Sequence, residues 1–231
     1  MTHGVYAFRS PAWFRERRGW LLAQSDEVIL AIAHKLRVPY KLKKIDRYDS
    51  PRDPSLHQES VAEHKWALNY LSTYFAPLEF PDGDLDVLFV KDIIQFHDYG
   101  EIIVGDKPYH QKSQADSDAE RVLGEQVFVA WLEEISGYAR YCWVEYQEQA
   151  TKEGRFTHAL DKIEPLFELL DPVNETSMKR LEFTFEHHIG IKREVTKNFP
   201  VLRRFVDVVS ADMLRRSVFW DQSDQHAKGA P

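Results

Sequence analysis

Residues 84–106 read DLDVLFVKDIIQFHDYGEIIVGD, and the fold turns on whether this run is helix or strand. Its VLFV segment, taken alone, suits either. The whole run is long for a strand and reads as a buried helix that ends near Gly100. That helix delivers two metal-capable side chains, His97 and Asp98, side by side at the end of an apolar stretch. Burying a carboxylate there is costly unless it is paired or meets a cation. Glu101 follows His97 by four residues and Asp98 by three, so a continuing helix turns it toward the same side.

Helical periodicity extends outward in both directions. SDEVILAIAHKL places Ser25 at a helix start, Asp26 and Glu27 in the first turn, and a stripe through Val28, Ile29, Ile32, Ala33 and Leu36. Val38-Pro39 closes it. Residues 40–58, with Pro51 and Pro54, read as a polar loop. Ser60 and Glu63 have capping-box spacing and open a helix to about Phe75, with a break at Pro77, Pro81 and Gly83. Downstream the pattern predicts one long helix over 113–135. It predicts two more over 140–152 and 155–170 around Gly154, another through about His188, and a last one from Pro200 to about Trp220. Convincing strand alternation and internal repeats are absent, so the expectation is a single all-α domain. Its parts are an N-terminal extension over 1–24 that packs on the domain, a main body over 25–190, a helical extension over 191–221 and a disordered tail over 222–231. The extension's apolar stripe reads first as core packing.

The chain has 231 residues with 43% hydrophobic and 13% aromatic side chains, enough for one sizeable core. A formal net charge of −7 argues against a nucleic-acid polymer as the main partner. No run approaches a bilayer-spanning length, so no membrane association is expected. The single cysteine, Cys142, excludes an internal disulfide and cysteine-rich metal clusters, which fits a reducing, cytoplasmic setting.

Two further contexts carry chemistry. His64, in SVAEHKWAL, falls in the first turn of its helix. Asp161, in LDKIEPLFELL, sits inside an apolar helical pattern and asks for a partner. Each is bland alone, a partly exposed histidine and an exposed-face aspartate. Between residues 35 and 52 the net charge is +5, a patch able to steer an anion.

SVAEH, FHDYGEIIVGD and the helix carrying Asp161, taken together, resemble the HD-domain metal-dependent phosphohydrolases. The likeness spans residues 25–190. Within that superfamily the chain is most similar to the small 5′-deoxynucleotidase group, through Arg47 ahead of the first histidine, the HDxxExxxGD pattern of His97, Asp98, Glu101, Gly105 and Asp106, and WVEYQEQATKEGRFTHALDKIE at 143–164. The resemblance implies an HD-domain helical bundle with one divalent metal ion (Mn, Co, Fe, Zn or Mg) held by His64, His97, Asp98 and Asp161. It implies release of phosphate from a nucleoside 5′-monophosphate, deoxynucleotides foremost, by attack of metal-bound water. Arg47 would grip the phosphate. Glu101 would position the nucleophile or protonate the leaving oxygen, and Asp106 would serve as a second acid. Lys107 is a further phosphate contact. Tyr48 stands where some members carry Trp, which touches the sugar preference. A homodimer is also implied. The competing expectations are a nucleoside triphosphate or cyclic-nucleotide phosphohydrolase on the same fold, and a non-catalytic nucleotide or metal sensor. His110 and His158 are too few and too poorly spaced for a two-metal site. His187 and His188 read as solvated.

Overall fold

The computed structural model describes residues 9–47, 55–107, 112–129, 131–171, 174 and 176–221. Tyr48, His110 and the tail over 222–231 lie outside the described residues.

The run that opens the sequence is a helix, α4 (Val87–Phe96), capped by Asp86, whose carboxylate accepts from Phe89 N. Phe89, Val90, Ile93 and Ile94 are fully buried. These four form one stripe at helical spacing, while Val87 and Leu88 are exposed, which removes the strand reading. Before it, α3 (Val61–Glu79) begins at Ser60 with the expected capping box. Ser60 Oγ accepts from Glu63 N, and Glu63 Oε2 accepts from Ser60 N at 2.7 Å. This helix runs through Pro77 rather than stopping at Phe75. One lost backbone bond in the last turn is outweighed by the burial of Phe75 and Ala76.

Where a polar loop was expected, residues 38–47 hold regular structure. Val38–Lys44 forms a 3₁₀ segment that buries Leu42. An antiparallel bridge then pairs Asp46 with Ser60, and Arg47 N donates to Glu59 O at 2.8 Å while Val61 N donates to Ile45 O at 2.9 Å. Ahead of this lie α1 (Pro11–Leu22) and α2 (Asp26–Leu36), neither with a fully buried residue. Pro11 occupies the first turn of α1 rather than interrupting it. Arg17 of α1 pairs with Glu134 at 2.5 Å. On α2, Ile32 packs inward, but Ile29 and Leu36 are exposed.

After α4 the chain turns into the short α5 (Glu101–Val104), closed by Gly105 at φ 76°, a left-handed conformation that favours glycine. The single helix expected over 113–135 is two, α6 (Gln114–Val129) and α7 (Glu133–Glu148). The break lets Trp131 and Leu132 turn inward onto Tyr99 and Phe96. Gly154 lies within the first turn of α8 (Lys152–Glu168), not between helices. Thr151 caps that helix, and the Gly154 Cα lies so close to Glu145 that an added Cβ would come within 2.5 Å of Oε1. Then follow α9 (Ser177–Arg180), α10 (Phe185–Val195) and α11 (Pro200–Arg215). The last helix ends before Trp220 because Ser217 takes a left-handed turn that sends Val218 and Phe219 into the core.

The main core joins α3, α4, α8 and α11 through Leu68, Phe75, Ile94, Leu160, Ile163 and Leu202. Among the described residues the regular structure is helical, with the Asp46–Ser60 bridge as the isolated exception. The all-α expectation holds.

Candidate metal centre and phosphate cavity

His64, Asp161, His97 and Asp98 meet because α3 and α8 pack together with the end of α4. All four are buried or nearly so. His64 Nε2 lies 2.9 Å from Asp161 Oδ1, and His97 Nε2 lies 3.0 Å from Asp98 Oδ2 and 3.9 Å from Asp161 Oδ1. His64 is fully buried rather than partly exposed, and the aspartate on α8 has its partners.

The outer groups fix which atoms face one another. His97 Nδ1–H donates to Ile94 O at 2.9 Å, which turns Nε2 toward the two carboxylates. His97 Nε2 and Asp98 Oδ2 have no hydrogen-bond partner among the described residues. His64 Nδ1 lies 3.0 Å from Glu164 Oε2. Burial and Arg47 oppose protonation of His64, yet Glu164 and Asp161 hold its pKa up to about 9. Asp161 Oδ2 accepts from Tyr146 OH at 2.5 Å and from Lys162 Nζ at 2.7 Å, which turns Oδ1 toward the histidines. Burial opposes ionisation of Asp98, but His97, His64 and Lys65 hold it well below the usual carboxylate range. His64, His97 and Asp98 place donor atoms within 4.8 Å of one another, a donor set for a divalent cation, and Asp161 Oδ1 lies against both imidazoles with its own supporting bonds.

A polar cavity of about 190 Å³ opens beside these donors. Arg47 lines it, 9% exposed, its Nε 3.5 Å from Asp106 Oδ2. Glu101 lines it too, 4% exposed, with Oε2 lacking a hydrogen-bond partner. Burial, Asp98 and Asp106 push the Glu101 carboxyl well above its ordinary range, against Arg47 and Lys112. Lys107 reaches the wall while bound to Asp116 at 2.8 Å. The structure therefore brings Arg47, Glu101, Asp106 and Lys107 to one cavity with the four donors.

Several groups escaped the sequence reading. Glu164 holds His64, and Tyr146 holds Asp161. Glu59 sits beside Glu164, its carboxyl pushed up to about 7 by burial and that neighbour. Lys112, Arg121 and Lys162 supply cavity-facing charge. Of the described bases in the 35–52 patch, Arg47 alone lines the cavity. The i+3 spacing of Asp161 and Glu164 was the available signal for the last helix. His158 does line the cavity, with its pKa lowered to about 4 by burial and Lys162. His188 is a correction: it is buried, bonded to Ser210 Oγ at 3.1 Å, not solvated.

No helix among the described residues is long and apolar enough to cross a membrane. No curated protein sequence matches the chain significantly. Solved structures resemble it in fold. A Magnetospirillum magnetotacticum protein described as a predicted metal-dependent phosphohydrolase has a TM-score of 0.70 at 21% identity, covering 84% of this chain and 98% of its own. An HD-domain phosphohydrolase from Listeria innocua has a TM-score of 0.58 at 18% identity, over 80% of this chain and 90% of its own. A conserved hypothetical protein from Pyrococcus furiosus has a TM-score of 0.58 at 22% identity, over 77% and 98%. Residues 40–203, which carry every donor described above, match the HD-domain family profile, and the chain belongs to that family.

Proposed function

We propose that this chain is a metal-dependent phosphohydrolase that releases phosphate from nucleoside 5′-monophosphates, deoxynucleotides foremost. The observation that carries this reading is the orphaned pair His97 Nε2 and Asp98 Oδ2, aimed with His64 and Asp161 at one point beside a cavity lined by Arg47. Similarity to proteins described as phosphohydrolases supports the reaction class.

A divalent cation held by His64, His97, Asp98 and Asp161 supplies Lewis-acid polarisation of a phosphoryl oxygen and acidifies water. Glu164 and the Ile94 carbonyl orient the two imidazoles. Tyr146 and Lys162 orient Asp161. Arg47 binds phosphate oxygens through its planar fork, and Asp106 sets the height of that fork. Glu101, buried between Asp98 and Asp106, holds a proton for the leaving 5′-oxygen. Lys107, Lys112 and Arg121 are each engaged with an acid, namely Asp116, Glu120 and Glu148. Such compensated charge fits one phosphoryl group better than three. Tyr48, next in sequence to Arg47, is assigned to the sugar, and the working unit is a homodimer.

The test is phosphate release from ribo- and deoxynucleoside 5′-monophosphates with Mn, Co or Mg, repeated with a chelator. Chelator-sensitive release is expected, and Asp98→Ala is expected to lose both bound metal and turnover. Silence across all metals and monophosphates sinks the reading.

A further inference from the structure

On the far side of Asp161 lies a second chamber of about 100 Å³. Arg47, Asp161 and Lys162 line both it and the polar cavity, so the two spaces meet at those three side chains. Past them the wall turns apolar. Pro165 comes from α8, Met178 from α9, Leu181 and Phe183 from the turn after α9, and Ile191 from α10. Two polar groups interrupt it. Lys192 Nζ is turned onto the carbonyl of Lys162. His188 is tied through Nε2 to Ser210, and its Nδ1 has no hydrogen-bond partner among the described residues.

Protein cores close their voids, because an unfilled apolar space forfeits packing on every side. Here the space is kept open beside the metal-facing donors, behind two cations. Its chemistry differs from that of the neighbouring cavity: acids and bases on one side of the neck, hydrocarbon and one unpaired imidazole nitrogen on the other. An apolar cavity of roughly 150 Å³ admits a benzene ring; at about 100 Å³ this space is smaller, so it excludes a bicyclic base and takes a single ring with one edge left in its open mouth. A ring with a polar edge also satisfies His188 Nδ1, which a plain hydrocarbon does not.

We propose that this chamber receives the base of the nucleotide, with a pyrimidine favoured by size. The phosphate then lies in the polar cavity, and the sugar crosses the neck formed by Arg47, Asp161 and Lys162. This rests on the reading that the substrate is a nucleoside monophosphate. Met178, Leu181 and Ile191 become specificity-determining residues without touching the reacting atoms.

The test is a ligand-detected NMR titration of the full chain in Mg²⁺ with thymidine and with deoxyguanosine. It compares the wild type with Leu181→Trp and Ile191→Trp, each checked by thermal melting. The indoles fill the chamber from half-buried wall positions outside the polar cavity. Thymidine is expected to bind the wild type more tightly than deoxyguanosine, and to bind both variants about tenfold more weakly, a loss of about 1.4 kcal/mol. Intermolecular NOEs from the thymine ring to the Leu181 and Ile191 methyls, expected in the wild type, report the same placement without a substitution. Wild-type thymidine affinity in both folded variants, missing NOEs in the bound state, tighter binding of deoxyguanosine, or no nucleoside binding at all overturns the proposal. Phosphate release is scored separately. Thymidine seated in the chamber without release from thymidine 5′-monophosphate keeps the chamber and removes the phosphatase reading. Release from that nucleotide with thymidine binding unmoved by the tryptophans does the reverse.

Discussion

His97 donates its Nδ1–H to the Ile94 carbonyl, and the ring's other nitrogen is thereby committed to facing Asp98 and Asp161. That single bond fixes the ring's orientation, so the nitrogen that faces the two carboxylates is Nε2. Glu101 stands at the rim of the centre, a carboxyl whose pKa burial and two neighbouring carboxylates push well above its ordinary range. Glu101→Gln keeps the shape and removes the transferable proton. It is expected to lower kcat by about 10²–10⁴-fold while metal content, measured by elemental analysis, stays at the wild-type level. Equal loss of metal and activity would make Glu101 a ligand instead. At this scale the sequence was partly legible. The His97-Asp98 pair announced itself because an acid at the end of an apolar run needs a partner. Glu164 and Tyr146 did not, because their partners, His64 and Asp161, are remote in sequence or unreadable until α3 and α8 pack together. The local charge count between residues 35 and 52 misled for the same reason. Charge counts along the chain do not say which side chains face one cavity, and Lys112 and Lys162 came from elsewhere.

Elements matter here through where they begin and end. His64 is one turn into α3, so the capping box at Ser60 and Glu63 that nucleates the helix also fixes the height of the ligand-facing ring. Ser60→Ala is expected to cost about 1 kcal/mol in urea denaturation, with Ser60→Asp recovering most of it. No change in the midpoint would mean that tertiary packing alone holds that end. The capping box and the apolar helix of residues 87–96 were readable from local pattern. The break between α6 and α7 was not, since nothing in 113–135 forbids a continuous helix. The turn there is bought by burying Trp131 and Leu132 against residues from α4 and the turn after it. Pro77 misled in the other direction, because one missing donor in a last turn is a small loss beside the burial of Phe75.

For the whole molecule, the centre ties α3, α4 and α8 at their junction, so occupancy and stability are linked. A metal that binds the folded chain and not the unfolded one stabilises it by about 2.7 kcal/mol at one hundred times its Kd. Thermal melts are expected to rise with added Mn or Co and to fall with a chelator. A melting temperature indifferent to both contradicts the four-donor assignment. Acid acts through a different group. His188 is held neutral by burial, its pKa lowered to about 2 from the ordinary 6.5. Between those values unfolding takes up a proton, so stability falls as pH drops below about 6.5, by about 1.4 kcal/mol per pH unit for one such group. His188→Gln is expected to flatten that decline in melts at pH 5 to 7, and an unchanged slope would assign it elsewhere.

The bridge between Asp46 and Ser60 has an evolutionary consequence. It joins the chain on both sides of the segment that follows Arg47, and the Arg47 backbone is held by Glu59 across that join. Lengthening a closed loop costs slowly, about 0.6 kcal/mol per doubling. A change in the length of chain between Arg47 and Glu59 is therefore a small energetic matter beside the join itself. Relatives sharing this join can diverge in what they accept long before they diverge in what they do to it.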